Sequence, residues 1–165
     1  MSLRLLAAGC ALFLSAAALA DQPSVEVAPP SLQGSRPLEK QTSVAVVRDY
    51  LESWQKFCAA LDQNQVGLLD PDFVGTARSK LAATIGEQAK MGIHTRYQDE
   101  SHHLQIVFYS PEGLSIQMID DVEYDEQVLE QDKVLATQHV KTRYLVVMTP
   151  AEVRWKVRVF QAESE

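Results

Sequence analysis

The residues whose types could do chemistry are four histidines, one acidic run, two cysteines and one basic row. The histidines are His94, His102, His103 and His139, and a zinc site needs three or four of its ligands to converge. His102 and His103 are adjacent in a segment that reads as a strand. They therefore point to opposite faces and do not share a metal. H-E-x-x-H and paired-cysteine spacings are absent, so the sequence implies no metal centre and no cofactor. The run Asp120-Asp121-Val122-Glu123-Tyr124-Asp125-Glu126 lacks the glycine and the bidentate glutamate of an EF-hand loop. It reads as a solvated strand end that discourages edge pairing. Nucleophile-elbow, P-loop and dinucleotide fingerprints are also absent. Arg154, Lys156 and Arg158 alternate along the last strand, as a solvated face or a patch for an acidic partner. With Trp54, a large aromatic that asks for a broad surface, they are the candidate contacts to a ligand or partner.

Charge narrows the classes of partner. The formal net charge of −7 argues against nucleic acid, whose phosphates call for a basic stripe. It argues equally against docking on anionic lipid.

The first twenty residues read as a secretory leader. Arg4 supplies the positive start, 5–17 the short apolar stretch, and Ala18-Leu19-Ala20 the small residues before a cut ahead of Asp21. The apolar stretch is too short for a membrane span, so no stable span is expected and the mature protein is periplasmic or secreted. Cys10 follows too few apolar residues for a lipobox, so it belongs to the leader. Cleavage leaves Cys58 alone, and a lone cysteine on a helix's apolar face reads as a buried small hydrophobe. Residues 21–42 hold Pro23, Pro29, Pro30 and Pro37, a density that blocks helix and sheet and reads as a flexible linker.

The rest, 43–162, is one domain. Residues 43–62 predict an amphipathic helix, with Val47, Tyr50, Leu51, Trp54, Phe57, Cys58 and Leu61 on one face. Asp70-Pro71 predicts a short helix over 71–74, with Asp72 in its first turn. A longer helix over 76–91 stops at Gly92 and turns Leu81, Ile85 and Ala82 or Ala89 inward. The period then falls to two. Strands are expected over 94–98, 102–110, 114–124, 134–148 and 153–160, with an acidic hairpin loop over 125–133. Helices first and strands afterwards is the α+β pattern, with helices packed on one face of a curved antiparallel sheet.

This order of elements resembles the nuclear-transport-factor-two-like, or SnoaL-like, cone-fold superfamily. Within it, the nearest likeness is to the intermembrane-space domain of plastid division proteins and its bacterial relatives. The residues that carry it are Val47, Tyr50-Leu51, Trp54-Gln55, Leu81, Gly92 and Tyr97. Ser110-Pro111-Glu112-Gly113, Thr142-Arg143-Tyr144-Leu145 and Val153-Arg154-Trp155-Lys156-Val157 complete it. The resemblance implies a non-enzymatic binding or scaffold domain that holds an envelope protein or a small apolar ligand, or a homodimer formed through the sheet face. Other members are enzymes, which implies the alternative of a small lyase or isomerase with an acid–base pair inside the cone. Asp120, Tyr97, His139 and Tyr144 are the candidates for such a set. A cone filled by Trp54, Phe57, Phe108 and Trp155 would argue against it.

Overall fold

A computed structural model describes residues 23–34 and 36–163. The proposed leader lies outside them. The first strand, β1 (Ser24–Val27), precedes helix α1 (Lys40–Gln63). A 3-10 turn at Val66–Leu69 and helix α2 (Gly75–Lys90) follow. Strands β2 (His94–Tyr109), β3 (Ile116–Glu130), β4 (Lys133–Pro150) and β5 (Trp155–Glu163) then form a meander. The sheet order is β1-β2-β3-β4-β5, with β1 parallel to β2 and every other pair antiparallel.

Helix α1 forms because its apolar residues recur at steps of three and four. Val46, Tyr50, Trp54, Phe57, Ala60 and Leu61 are all buried. Each large side chain withdrawn from water there is worth about 1.5–3 kcal/mol. The sheet supplies the opposing surface by strand alternation. His102, Leu104 and Ile106 of β2 face inward, as do Ile116, Met118, Asp120, Val122 and Tyr124 of β3. Tyr144, Val146 and Met148 of β4 join them. Helix α2 ends before Gly92, whose φ of +73° suits a residue without a Cβ. Its inward residues are Ala77, Ile85 and Gln88; Leu81 is half-buried and Ala89 exposed.

Four local expectations are corrected. Residues 71–74 are not a helix. Phe73 is buried and bridges in parallel to Val157, with Val74 N–H to Val157 O at 2.9 Å and Val157 N–H to Asp72 O at 2.8 Å. Burying that ring against β5 outweighs the helix-start signal of Asp70-Pro71. The acidic loop over 125–133 is strand almost throughout, with a tight turn at Gln131-Asp132. Cross-strand polar pairs make the pairing of β3 and β4 favourable: the ion pairs of Arg143 with Asp121 and of Lys141 with Glu123, both at 2.7 Å, and the hydrogen bond between His139 and Asp125 at 2.8 Å. The two segments 94–98 and 102–110 are one strand interrupted by a bulge between Gln98 and Ser101, where Asp99 has φ +53°. The proline-rich stretch is not a free linker, since Ser24–Val27 pair with Ser101–Leu104 at the edge of the sheet. Proline is compatible with an edge, where one side of the strand needs no ladder.

Candidate functional site

The centre of the molecule is a buried polar chain built by parity and by the bulge. The register pairs His102 with Val122 and Leu104 with Asp120, so His102 and Asp120 are diagonal neighbours on the inner face. Their Nδ1 and Oδ2 atoms are 2.8 Å apart. Tyr50, one helical turn before Trp54 on α1, donates its hydroxyl to the same Oδ2 at 2.6 Å. The bulge turns Glu100 inward. Its Oε2 accepts the Trp54 indole N–H at 2.7 Å, and the Cys58 thiol lies 3.7 Å from its Oε1. His102 Nε2 stands 3.9 Å from Glu100 Oε2, beyond hydrogen-bond range. The side chains of His102 and Asp120 are both 0% exposed.

Burial and charge act against each other in this chain. Burial lowers the basicity of the His102 imidazole, but the hydrogen bond to Asp120 and the charges of Asp120 and Glu100 outweigh it and push the pKa up to about 9. A pKa of about 9 favours the protonated imidazole at neutral pH, with Nδ1 on Asp120 and Nε2 buried without a hydrogen-bond partner. Burial would raise the Glu100 carboxyl, yet His102 and the Trp54 donor hold it below its usual range. Burial, followed by the Asp120 charge, pushes the Tyr50 hydroxyl up. Burial, followed by the Glu100 charge, does the same to the Cys58 thiol, which is poorly disposed to react as a thiolate.

Of the sequence candidates, Asp120, Tyr97 and Tyr144 reach this interior. His139 does not; it lies on the outer face against Asp125. The histidine that does reach the interior is His102, which was not among those candidates. Its parity with Leu104 and Ile106 was the available signal. The two tyrosines are packing residues. Tyr97 stacks on Tyr124 with centroids 4.1 Å apart, and Tyr144 on Phe160 at 4.4 Å. Burial raises both hydroxyls. Trp54 is 2% exposed and has ring contacts with Phe57, His102, Tyr124, Tyr144 and Phe160, so it presents no surface to a partner. Aromatic rings pack the interior: of the four named as a filling that would argue against an enzyme, Trp54 and Phe57 are buried there, together with Tyr124, Tyr144 and Phe160. Phe108 and Trp155 are half-buried.

The basic row also divides. Arg154 reaches inward to the carboxylates of Asp72 and Glu52 and ties β5 to α1. Asp49 reinforces that tie by accepting the Trp155 backbone N–H at 2.8 Å. Lys156 is half-buried and Arg158 exposed, and neither has an ion-pair partner among the described residues. A recess of about 430 Å³ lies outside Glu100, bordered by Gln55, Cys58, Tyr97 and Asp99. An apolar groove of about 500 Å³ runs between β1 and α1 beside Val27, Val44, Val47 and Leu51. Among the described residues no three His, Cys, Asp or Glu side chains are grouped to hold a metal. No described helix is long and apolar enough to cross a membrane.

No protein-family profile and no curated protein matches the chain. Solved structures do. The intermembrane-space region of the chloroplast protein ARC6 superposes with a TM-score of 0.60 at 14% identity, over 79% of this chain and 100% of that one. A putative scytalone dehydratase from Novosphingobium aromaticivorans superposes with a TM-score of 0.53 at 16% identity, over 76% and 89%. At these identities the likeness is one of fold. The chain has the α+β, SnoaL-like cone fold, and that fold carries both kinds of neighbour.

Proposed function

We propose that this is an exported, non-enzymatic binding domain that engages a protein partner through its outer surface. The observation that carries the reading is the filled cone. The His102–Asp120 pair and Tyr50 have the types of an acid–base set, but aromatic rings occupy the volume a substrate would need. A general base must come within hydrogen-bond reach of the proton it takes. The small apolar ligand loses ground to the protein partner for the same reason.

The reading includes a leader over 1–20 cut after Ala20, an arm over 21–42, a domain over 43–162, and a periplasmic or secreted location. The likeness to an intermembrane-space region supports that location. A second copy on the outer face of the sheet is one partner the reading admits. Lys156 and Arg158 are the basic residues left for contact; Arg154 is committed to the fold.

The test is crosslinking in intact cells followed by capture of the tagged mature protein and mass spectrometry. One dominant envelope protein, lost on Lys156→Glu with Arg158→Glu, is the expected result. Recovery of the chain alone, with turnover of a small substrate, would overturn the reading.

A further inference from the structure

Residues 23–34 and 36–38 run along the open edge of β2 from Ser101 towards Pro111, and backbone atoms make most of that contact. Ser24–Val27 pair in register with Ser101–Leu104. Ala28 N–H then donates to Leu104 O at 2.8 Å, Ser31 N–H to Ile106 O at 2.9 Å and Gln33 N–H to Val107 O at 2.8 Å. Bonds of this kind accept any extended segment. The resident segment uses the edge poorly. Pro29 and Pro30 bring no N–H, and all four β1 side chains are exposed, Val25 at 39% and Val27 at 48%. Few buried apolar contacts and solvent-facing backbone bonds mark a unit that opens at low cost.

The far end is held by side chains. Leu32 and Leu38 pack on the core, and the Arg36 guanidinium stands 4.6 Å from the centre of the Tyr109 ring while donating to the Pro111 carbonyl. Gly113 completes this seat, since a Cβ there would lie 3.1 Å from Arg36 Nη2. The turn is therefore shaped around a guanidinium.

We propose that the β2 edge is a peptide-accepting groove in which the chain's own arm sits as an internal occupant. An extended segment of a partner protein displaces it, with spaced aliphatic residues and an arginine that takes the Tyr109–Pro111–Gly113 seat. This rests on the binding-domain reading and adds a second contact with its mode of binding, at the sheet edge opposite the Lys156 and Arg158 of β5. The occupant's chemistry is read from the part of the resident arm that is seated, Leu32, Leu38 and Arg36, while its β1 side chains leave the edge underused.

A fluorescent synthetic peptide with the sequence of residues 23–38 is titrated into the full chain and into its Arg36→Ala variant. Arg36 is half-buried and its contacts lie at the end of the arm, outside the core, and far-UV circular dichroism checks that the variant keeps the fold. Weakening the arm raises the fraction of open groove, so the variant binds the peptide about fivefold tighter than the parent. A peptide with alanine for its arginine loses that gain. At saturation, amide exchange rises in the arm's residues 24–33 while β2 stays protected. Equal affinity for parent and variant, or a saturated groove with the arm still protected, overturns the proposal. Recovery of an envelope partner that the peptide does not compete away would overturn this inference and leave the binding-domain reading standing.

Discussion

Raising the pH from 6.5 to 8.5 should destabilise the fold through His102. Its pKa of about 9 in the fold lies above the ordinary value of about 6.5 that it regains on unfolding. A folded pKa above the unfolded one stabilises fully below about 6.5, and that stabilisation is lost as pH rises through about 9. Two and a half units correspond to about 3 kcal/mol in all, of which about 2 kcal/mol disappears between pH 6.5 and 8.5. The titratable groups that act on His102 are Glu100 on β2 and Asp120 on β3, which in turn bond Cys58 and Tyr50 of α1. The interior tyrosines titrate at about pH 10 when unfolded and Cys58 at about 8.5, so the window stops at 8.5, where Cys58 adds only a few tenths of a kcal/mol, about the same in the His102→Gln variant. The assay is urea denaturation followed by far-UV circular dichroism at three pH values, on the parent and on His102→Gln. The parent should lose about 2 kcal/mol, and the variant should start lower and stay flat. A flat parent would mean that His102 is neutral in the fold. A variant that keeps the slope would assign it to another group.

The other expectations concern single contacts. Tyr50→Phe removes one of the two donors to Asp120 Oδ2 and should cost about 1–3 kcal/mol, read as a shift in the denaturation midpoint. Arg154→Ala leaves Asp72, whose side chain is 0% exposed, without its cation, and should cost about 3–5 kcal/mol. The Arg158→Glu change on the exposed strand should stay within about 0.5 kcal/mol, measured the same way. Gly113→Ala forces a side chain into φ +77° and against Arg36, and should cost about 1–2 kcal/mol while raising amide exchange in the arm.

What could be read in the sequence follows from what each local pattern encodes. The three- and four-residue steps from Tyr50 to Leu61 announced α1, and alternation announced the meander, because burial imposes those periods. The same alternation places His102 with Leu104 and Ile106, and Asp120 with Ile116 and Met118. It contained the buried pair, although histidine and aspartate on an apolar face first read as surface chemistry. His139 falls in the part of β4 where side chains on both faces are exposed, so parity alone could not place it. The inward turn of Glu100 depends on a bulge, and no residue type between Gln98 and Ser101 forces one. The arm was missed for a related reason. Prolines mark where a ladder is interrupted, and they are silent on whether the flanking residues still find an edge.

The central claim is that the cone interior is packing and not a chamber for ligand or substrate. The Trp54 indole N–H, bonded to Glu100 at 2.7 Å, reports on that interior directly. Its resonance can be followed in a 15N-labelled sample titrated with phenol, a probe small enough for any vacancy among the tyrosines. The account predicts that the Trp54 signal stays in place while exposed residues shift weakly and without saturation. A saturable shift of Trp54, with Tyr144 and Tyr124 moving at the same midpoint, would show an accessible site beside His102 and Asp120 and contradict it.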